Sequence, residues 1–316
     1  MKLQTQIPLQ PEKYNPIDYH SKIVLIGSCF AEHIGQKLEY FKFQNLLNPF
    51  GILFHPLGIE RLITNAINEK EYTERDIFFH DEQWHCYDAH SRLSNSSKEE
   101  FLKALNGNIK LTHQYINDST HFIITLGTAW VYRHIETDAI VSNCHKVPQK
   151  QFTKVLLTVE TVSESLKAII SLIRSVNPNT VIIFTVSPVR HLKDGFVENA
   201  RSKAHLISAV HEVAEPRHHI HYFPSYEIMM DELRDYRFYD DDMVHPNTTA
   251  VNYIWEKFQE VWITREASKT MDKVNEIQKG LCHRPFHPNS KAHRQFLQNL
   301  KAKQQQLQEL FSHIRF

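Results

Sequence analysis

The sequence lacks the features that mark several large classes of protein. Its 316 residues include only 8 glycines and 4 cysteines, and acidic and basic residues balance at 36 each. The cysteines are far apart and form no CxxC pair, which argues against a disulfide framework or a structural zinc site. Reduced thiols in the cytoplasm are therefore expected. The balanced charge gives no sign of a nucleic-acid partner.

Long apolar segments and cofactor motifs are also missing. No window approaches the roughly 18 apolar residues that span a bilayer, and residues 1–20 contain no apolar run typical of a secretory signal. The sequence has no GxGxxG, P-loop or HExxH motif. We therefore expect a cytoplasmic chain that has no membrane partner and needs neither a cofactor nor a metal. The oligomeric state is left open.

What the sequence does contain is an alternation of short apolar runs and helical patterns. Runs of four to eight residues rich in Val and Ile predict parallel strands buried on both faces; they lie at Lys22–Ile26, His121–Leu126, Thr180–Val186 and Ile220–Phe223. Apolar residues at helical spacing lie between or after them, over 30–41, 162–173 and 251–262. This alternation predicts an α/β fold with a doubly wound, flavodoxin-like parallel sheet flanked by helices.

Two segments fall outside this plan. Residues 70–96 have no period, and they are either an ordered loop over a site or a long surface connection. The tail has a loop over Leu281–Ser290 and then a polar helix to about Ser312, with one apolar edge. This helix is expected to pack on the flank of the domain, with an oligomer contact as the alternative. The predicted division is a domain over 1–265 and a helical C-terminal extension over 266–316.

The first strong strand ends in a turn that is suited to a nucleophile. Ligands of open α/β sheets bind at the carboxyl ends of the strands, and here the strand ends in Gly27, Ser28 and Cys29 before a helix begins. A helix N-terminus favours developing negative charge and the ionisation of a thiol. The alternative is structural: Ser28 caps the helix and Cys29 is a small buried hydrophobe.

A second candidate segment occurs late in the chain. Asp242 precedes His245 by three residues, and Pro246 follows, which suits the first turn of the last apolar-striped helix. An aspartate at this spacing can bond the far nitrogen of the imidazole, fix its tautomer and stabilise the imidazolium. Alone the pair is compatible with a capping aspartate beside an incidental histidine, since the chain has 21 histidines.

Together these segments resemble a known family. The string Gly27-Ser28-Cys29-Phe30-Ala31 spells the motif of the GSCFA-domain proteins, which are regarded as relatives of the SGNH (GDSL-type) hydrolases. The resemblance covers roughly residues 20–265. It also includes Asn48-Pro49-Phe50-Gly51, Gly127-Thr128, Asn143-Cys144-His145, Ser187-Pro188-Val189-Arg190-His191 and Asp242-Met243-Val244-His245-Pro246.

The resemblance implies a nucleophile–His–Asp site. SGNH hydrolases place a serine nucleophile third in a Gly-Asp-Ser turn and complete the triad with a late DxxH. Carried over, His245 is the general base and Asp242 orients it. A gapless register gives Cys29 the nucleophile's place, whereas chemical identity gives it to Ser28.

The oxyanion hole is where the sequence departs from that pattern. Relatives use the nucleophile's own N–H, a glycine N–H and an asparagine from a Gly-x-Asn block. Gly51 matches the glycine, with Asn48 nearby, but the third block reads Gly127-Thr128-Ala129 and has no asparagine. Losing one such donor typically costs about 10²–10³ in rate. Either Thr128, Asn48 or Asn143 substitutes, or the protein is a slow or non-hydrolytic relative.

Other residues at this edge are candidates for substrate contact. Asn143 and His145 follow a predicted turn, and Arg190 follows the third predicted strand. Arg190 is suited to clamp an anionic group, with a structural salt bridge as the alternative. The expected activity is hydrolysis of a small acyl or acetyl ester, including one carried on a carbohydrate. Acyl transfer by the same residues and non-catalytic ligand binding are the alternatives.

Overall fold

The computed structural model of the protein describes residues 5–316. Within them the strands, numbered in chain order, are β1 (Lys22–Gly27), β2 (Gln44–Leu47), β3 (Phe78–His80), β4 (Gln83–His85), β5 (His121–Leu126), β6 (Trp130–His134), β7 (Ile140–Val141), β8 (Phe152–Leu156), β9 (Val181–Val186) and β10 (Ile220–Phe223). The helices of the same part of the chain are α1 (Cys29–Tyr40), α2 (Pro56–Ile67), α3 (Lys98–Asp118), α4 (Val159–Val176), α5 (Phe196–Val213), the single turn α6 (Ser225–Glu227), α7 (Thr248–Trp262), α8 (Arg265–Leu281) and α9 (Lys291–Leu310).

Five parallel strands form the central sheet in the order β10-β9-β5-β1-β2. From β1 the chain moves outward to β2, returns to the other side of β1 as β5, and continues outward through β9 and β10. The strand order therefore reverses between β1 and β5, which is the switch point where such sheets bind ligands. The predicted doubly wound, flavodoxin-like fold is confirmed.

Helices cover both faces of the sheet. Val24 and Ile26 of β1 belong to a core cluster that includes α2, α3, α4 and α5. Ile23 and Leu25 of the same strand belong to a second cluster that includes α1, α7, α8 and α9. Alternate residues of β1 thus enter opposite layers, and all the side chains of β5 and β9 are buried. Burial on both faces explains why these strands read as continuous apolar runs.

The four predicted strands of this sheet exist with small changes at their ends. Two are observed with the predicted bounds, His121–Leu126 and Ile220–Phe223, while β1 extends to Gly27 and β9 begins at Val181. The edge strand β2 was not predicted, nor were two small antiparallel sheets. One, with the order β7-β6-β8, follows β5, and the other is the hairpin β3-β4 within the aperiodic segment 70–96.

The three predicted helices are α1, α4 and α7. The last begins later than expected: Asn247 is its N-cap, accepting the Ala250 N–H at 3.1 Å, and Pro246 precedes the helix. The placement of Pro246 in the first helical turn is therefore wrong, because the asparagine side chain caps the helix one residue after the proline.

The C-terminal segment consists of two helices that lie against the α1 face. The α8 helix was not predicted, and α9 follows the predicted loop. Leu300 and Leu307 of α9 are buried in the cluster that contains β1 and α7, whereas Leu310 is exposed. Among the described residues, no helix is both long and apolar enough to cross a membrane.

Candidate active site at the carboxyl edge of the sheet

The turn after β1 separates the serine from the cysteine. Ser28 is the N-cap of α1; it is buried, and its Oγ accepts the Phe30 N–H at 3.3 Å. Cys29 is the first residue of the helix and is only partly buried. The backbone therefore directs the hydroxyl into a helix cap and leaves the thiol at the more open position.

The Cys29 thiol lies between opposing electrostatic influences. Burial raises its pKa, and the positive charge of Lys203 opposes that rise. Glu32, in the same first turn of the helix, raises the thiol pKa further. The backbone N–H groups of Cys29 and Phe30 at the start of the helix lower its pKa, as expected for a thiol at a helix N-terminus. The net effect is a raised pKa.

Asp242 and His245 form a hydrogen-bonded unit. Asp242 Oδ2 lies 2.6 Å from His245 Nδ1, and Oδ1 accepts the N–H groups of Val244 at 2.8 Å and His245 at 2.9 Å. These bonds lower the pKa of Asp242 to about 2, with the backbone bond from His245 as the largest cause. Met243 between them has a positive φ of 57°. Within the described residues His245 Nε2 has no hydrogen-bond partner.

The loop that carries His245 lies at the same edge of the sheet as the Cys29 turn. The Arg190 N–H, four residues beyond the end of β9, donates to Val244 O at 3.2 Å. Burial lowers the pKa of His33, one turn beyond Cys29 on α1, and the charge on His245 lowers it further. In the described part of the chain no hydrogen bond joins His245 to Ser28 Oγ or to Cys29 Sγ. Catalytic hydrogen bonds of free enzymes are often longer than in the substrate complex.

Asn48 is placed beside the nucleophile turn with an unused donor. It follows β2, has a positive φ of 41°, and accepts the Gly27 N–H on Oδ1 at 2.9 Å. Its Nδ2 is buried and has no partner among the described residues. The Gly51 N–H donates to Asn48 O at 2.8 Å, so the backbone of the turn uses it. The side-chain Nδ2 of Asn48 is thus a hydrogen-bond donor of this segment that has no acceptor among the described residues.

Thr128, Asn143 and His145 make structural hydrogen bonds. Thr128 is buried, and its Oγ1 bonds to Ser202 Oγ at 2.9 Å and accepts the Trp130 N–H. Asn143 Oδ1 accepts the His145 N–H at 2.8 Å. His145 Nε2 lies 2.7 Å from Cys86 O, and burial lowers its pKa to about 4.

Arg190 is enclosed by aromatic rings. Its guanidinium carbon lies 4.2 Å from the centre of the Tyr239 ring and 5.3 Å from that of Tyr236. With Tyr226 these residues line an open cavity of about 430 Å³. Cation–π contact stabilises the charge without a carboxylate, so the alternative of a structural salt bridge finds no support among the described residues.

Two residues at this edge were missing from the predicted site. Lys203 is fully buried on α5 and donates to Gly127 O at 2.7 Å and to Ser187 O at 2.6 Å. His191, with Nε2 unpartnered in the described residues, has its pKa lowered to about 3 by burial and then by the charges of Lys203 and His245. A signal for Lys203 exists in the sequence, because it falls on the stripe Asn199, Ser202, Lys203, Leu206, Val210 that faces the core.

A second cavity lies behind Phe54. Phe54 O accepts the Gly127 N–H at 2.7 Å, and its ring centre is 5.7 Å from that of His191. The cavity has a volume of about 260 Å³, and its walls include Phe54, Trp130, Tyr132, Cys144, His145 and Lys193.

Fold and site together define an α/β protein with a cysteine turn and an Asp–His pair at the switch point of its sheet. The chain belongs to the GSCFA family, whose profile matches residues 22–258. Residues 274–316 match the C-terminal domain of GSCFA domain proteins. No match was found among curated proteins.

Among solved structures, the chain is similar to a carbohydrate esterase family 3 from Talaromyces cellulolyticus and to a mutant acetyl esterase with acetate ion. Each has 8% sequence identity and a TM-score of 0.38, with 81% of this chain and 99% of the other covered.

Proposed function

We propose that the protein is an SGNH-type hydrolase of small acyl esters, with Cys29 as nucleophile and His245 as general base. The observation that carries this proposal is the Asp242–His245 pair, whose 2.6 Å bond on Nδ1 leaves Nε2 unpartnered at the edge that holds the Cys29 turn. An aspartate on Nδ1 fixes the tautomer in which Nε2 can accept a proton. Cys29 is preferred to Ser28 because the hydroxyl is buried in the helix cap.

The proposed reaction has two halves. His245 Nε2 takes the proton of the Cys29 thiol, the sulfur attacks the ester carbonyl carbon, and His245 returns the proton to the departing alcohol. Water, deprotonated by His245, then attacks the thioester, the carboxylic acid leaves, and the proton returns to the sulfur. The N–H of Cys29 and Nδ2 of Asn48 are the proposed donors to the oxyanion, since neither donates to another backbone or side-chain oxygen among the described residues.

The alcohol portion of the ester is proposed to enter the cavity behind Phe54. At about 260 Å³ this cavity is smaller than a drug-sized binding site, for which about 300 Å³ is the lower bound. Trp130 and Tyr132 line it, and their aromatic side chains are suited to pack against a small ring. A small alcohol or a single sugar ring therefore fits better than a long chain. The cytoplasm is the proposed location.

The test is turnover of p-nitrophenyl acetate and butyrate at neutral pH. Cys29→Ala and His245→Ala are expected to lose about 10²-fold or more, the usual contribution of a nucleophile or general base. Asp242→Asn is expected to lose a similar factor, with the neighbouring exposed Asp241→Asn as the matched control. Ser28→Ala keeps its activity and loses about 1 kcal/mol of stability with its helix cap.

Two outcomes would contradict the proposal. If wild type and His245→Ala are equally inert on esters of several chain lengths, the chain binds a ligand without hydrolysing it. If Ser28→Ala is inactive while Cys29→Ala turns over, the hydroxyl is the nucleophile and the assignment to the thiol is wrong.

A further inference from the structure

Lys203 is a buried lysine that the proposed reaction does not use. Its side chain is 1% exposed, in the middle of α5. Cys29 is the titratable group whose charge raises the pKa of Lys203, against the burial that lowers it to about 7. No ion pair with a carboxylate is formed by Lys203 in the part of the chain that the structure describes. An unpaired buried lysine is costly, which makes its position informative.

The ammonium is held at the switch point of the sheet. Its two acceptors, Gly127 O and Ser187 O, directly follow β5 and β9. Gly27 of β1 pairs with Thr125 of β5, and the Ser28 N–H donates to Thr125 O at 3.0 Å, so the turn before Cys29 begins beside the end of β5. Neighbouring strands are about 4.8 Å apart. Lys203 Nζ and the Cys29 turn therefore lie at the same edge of the sheet, at the carboxyl ends of the adjacent strands β5 and β1.

Two of the three N–H groups of the Lys203 ammonium have acceptors, and the third has none among the described residues. An ammonium has three N–H donors, and the two carbonyls accept two of them at 2.7 and 2.6 Å. Within the described residues no protein acceptor takes the third. Two further titratable groups interact with this pair. The charge of Glu32 on α1 raises the pKa of the Cys29 thiol, and the charge of Lys203 lowers the pKa of His191. The Tyr226 ring lies 5.7 Å from Nζ.

We propose that the Lys203 ammonium stabilises the thiolate of Cys29, and that Lys203 is therefore the residue that positions charge behind the nucleophile. The thiol proton passes to His245 as described above, and Lys203 keeps its own proton. Each charge favours the other, so the ammonium and thiolate appear together. This inference rests on the proposed function for its purpose, but it makes a claim about the thiol that needs no ester.

Alkylation of Cys29 by iodoacetamide tests whether Lys203 stabilises the thiolate, because the thiolate is the form that reacts. The rate at Cys29 is followed between pH 6 and 9 by peptide mass spectrometry in wild type, Lys203→Met and Lys203→Gln. Methionine removes the charge and both hydrogen bonds, whereas glutamine removes the charge and keeps N–H donors. Both variants are expected to react about tenfold more slowly at pH 7, which corresponds to one unit of thiol pKa.

Exposed Cys282 at the end of α8 is the internal control, and its rate should not change. Lys203→Arg, which keeps the charge, is expected to remain closer to wild type than either neutral variant. Far-UV circular dichroism checks that each variant is folded. Unchanged Cys29 reactivity in folded Lys203→Met and Lys203→Gln would overturn the inference.

A second measurement avoids substitution of the lysine. In protein labelled with ¹³C-lysine, Lys203 is expected to titrate at least one pH unit higher in wild type than in Cys29→Ser, because the coupling is reciprocal. Equal titration in the two proteins would overturn the inference. If Cys29 reactivity depends on Lys203 but no ester is turned over, the proposed function fails while the pair stands. If esters are turned over but Cys29 reactivity does not depend on Lys203, the proposed function stands and the inference about Lys203 fails.

Discussion

The two adjacent residues of the nucleophile turn have different surroundings because one caps a helix and the other begins it. The Ser28 hydroxyl satisfies the Phe30 N–H at 3.3 Å in a buried setting. The Cys29 sulfur instead lies at the helix N-terminus, where backbone N–H groups and the Lys203 charge lower its pKa against the rise that burial causes. The hydroxyl of Ser28 therefore has a structural role, whereas the pKa of the adjacent Cys29 thiol depends on nearby charges. This difference is the physical basis for assigning the nucleophile to Cys29.

The buried Lys203 makes stability depend on pH. Its folded pKa is about 7, below its ordinary value of 10.5, and the pKa of Cys29 is raised above 9.0. Between about pH 7 and 8 the native pair holds one proton, whether on nitrogen or sulfur, while the unfolded chain holds two. The unfolded state binds more protons, so this pair makes the free energy of unfolding rise by about 1.4 kcal/mol per pH unit across that window.

Urea unfolding at pH 7, 8 and 9 measures this effect as the difference between wild type and Lys203→Met. Subtraction removes the contributions of other titrating groups that the substitution does not touch. The wild type should gain on the variant as the pH rises. A difference that does not change with pH would show that the native pair keeps both of its protons throughout the range.

At the level of the element, β1 and β5 approach more closely at Gly27 than a side chain allows. Gly27 has φ +150°, and a Cβ there would lie 2.2 Å from Thr125 O. Gly27→Ala is therefore expected to lower the free energy of unfolding by about 2–4 kcal/mol, through overpacking and backbone strain. Chemical denaturation measures the loss. Displacement of the turn should also slow alkylation of Cys29.

The matched control is a glycine with open space around it. Gly107 lies on the exposed side of α3, and a Cβ there would meet nothing within 4 Å. Gly107→Ala is expected to raise the free energy of unfolding by about 0.5–1 kcal/mol, because alanine favours the helix. Equal effects at the two glycines would contradict the steric account of Gly27.

Burial explains most of what could be predicted from the sequence, although the partly buried edge strand β10 was predicted as well. The strands β1, β5 and β9 lie inside two helical layers and show continuous apolar runs. The edge strand β2 is only partly buried, and β6 (Trp130–His134) is partly buried and carries charge, so neither forms such a run. Strand pairs of the small antiparallel sheets join residues that are far apart in the sequence, such as Trp130 and Leu156, and therefore produce no local sequence pattern.

The candidate site was predictable where its residues are adjacent in sequence. The three-residue spacing of Asp242 and His245 is local, and the structure shows the bond that this spacing allows. Lys203 reaches the same edge from the middle of a helix, across a sequence separation of 76 residues to Gly127. Its contribution depends on tertiary packing, and the sequence shows only that Lys203 lies on the same helix face as Leu206 and Val210.

At the scale of the whole molecule, the C-terminal helices complete one of the two core layers. Leu300, Leu307 and Ile314 share a buried cluster with Ile23 and Leu25 of β1. The last residues of the chain thus pack in the layer that covers the first strand of the sheet. Contacts of this kind couple the two ends of the chain, so we expect the tail and the sheet to unfold together.

Leu307→Ala tests that coupling. Leu307 is 2% exposed, and its truncation leaves a cavity in the shared layer that should cost about 2–4 kcal/mol. Leu310→Ala, three residues later on the same helix and 59% exposed, should change stability by less than about 0.5 kcal/mol. Tryptophan fluorescence and far-UV circular dichroism should report one coincident transition, displaced to lower denaturant in Leu307→Ala. Two separate transitions, with only the minor one displaced, would mean that α9 unfolds independently and contributes nothing to holding β1 and its Cys29 turn in place.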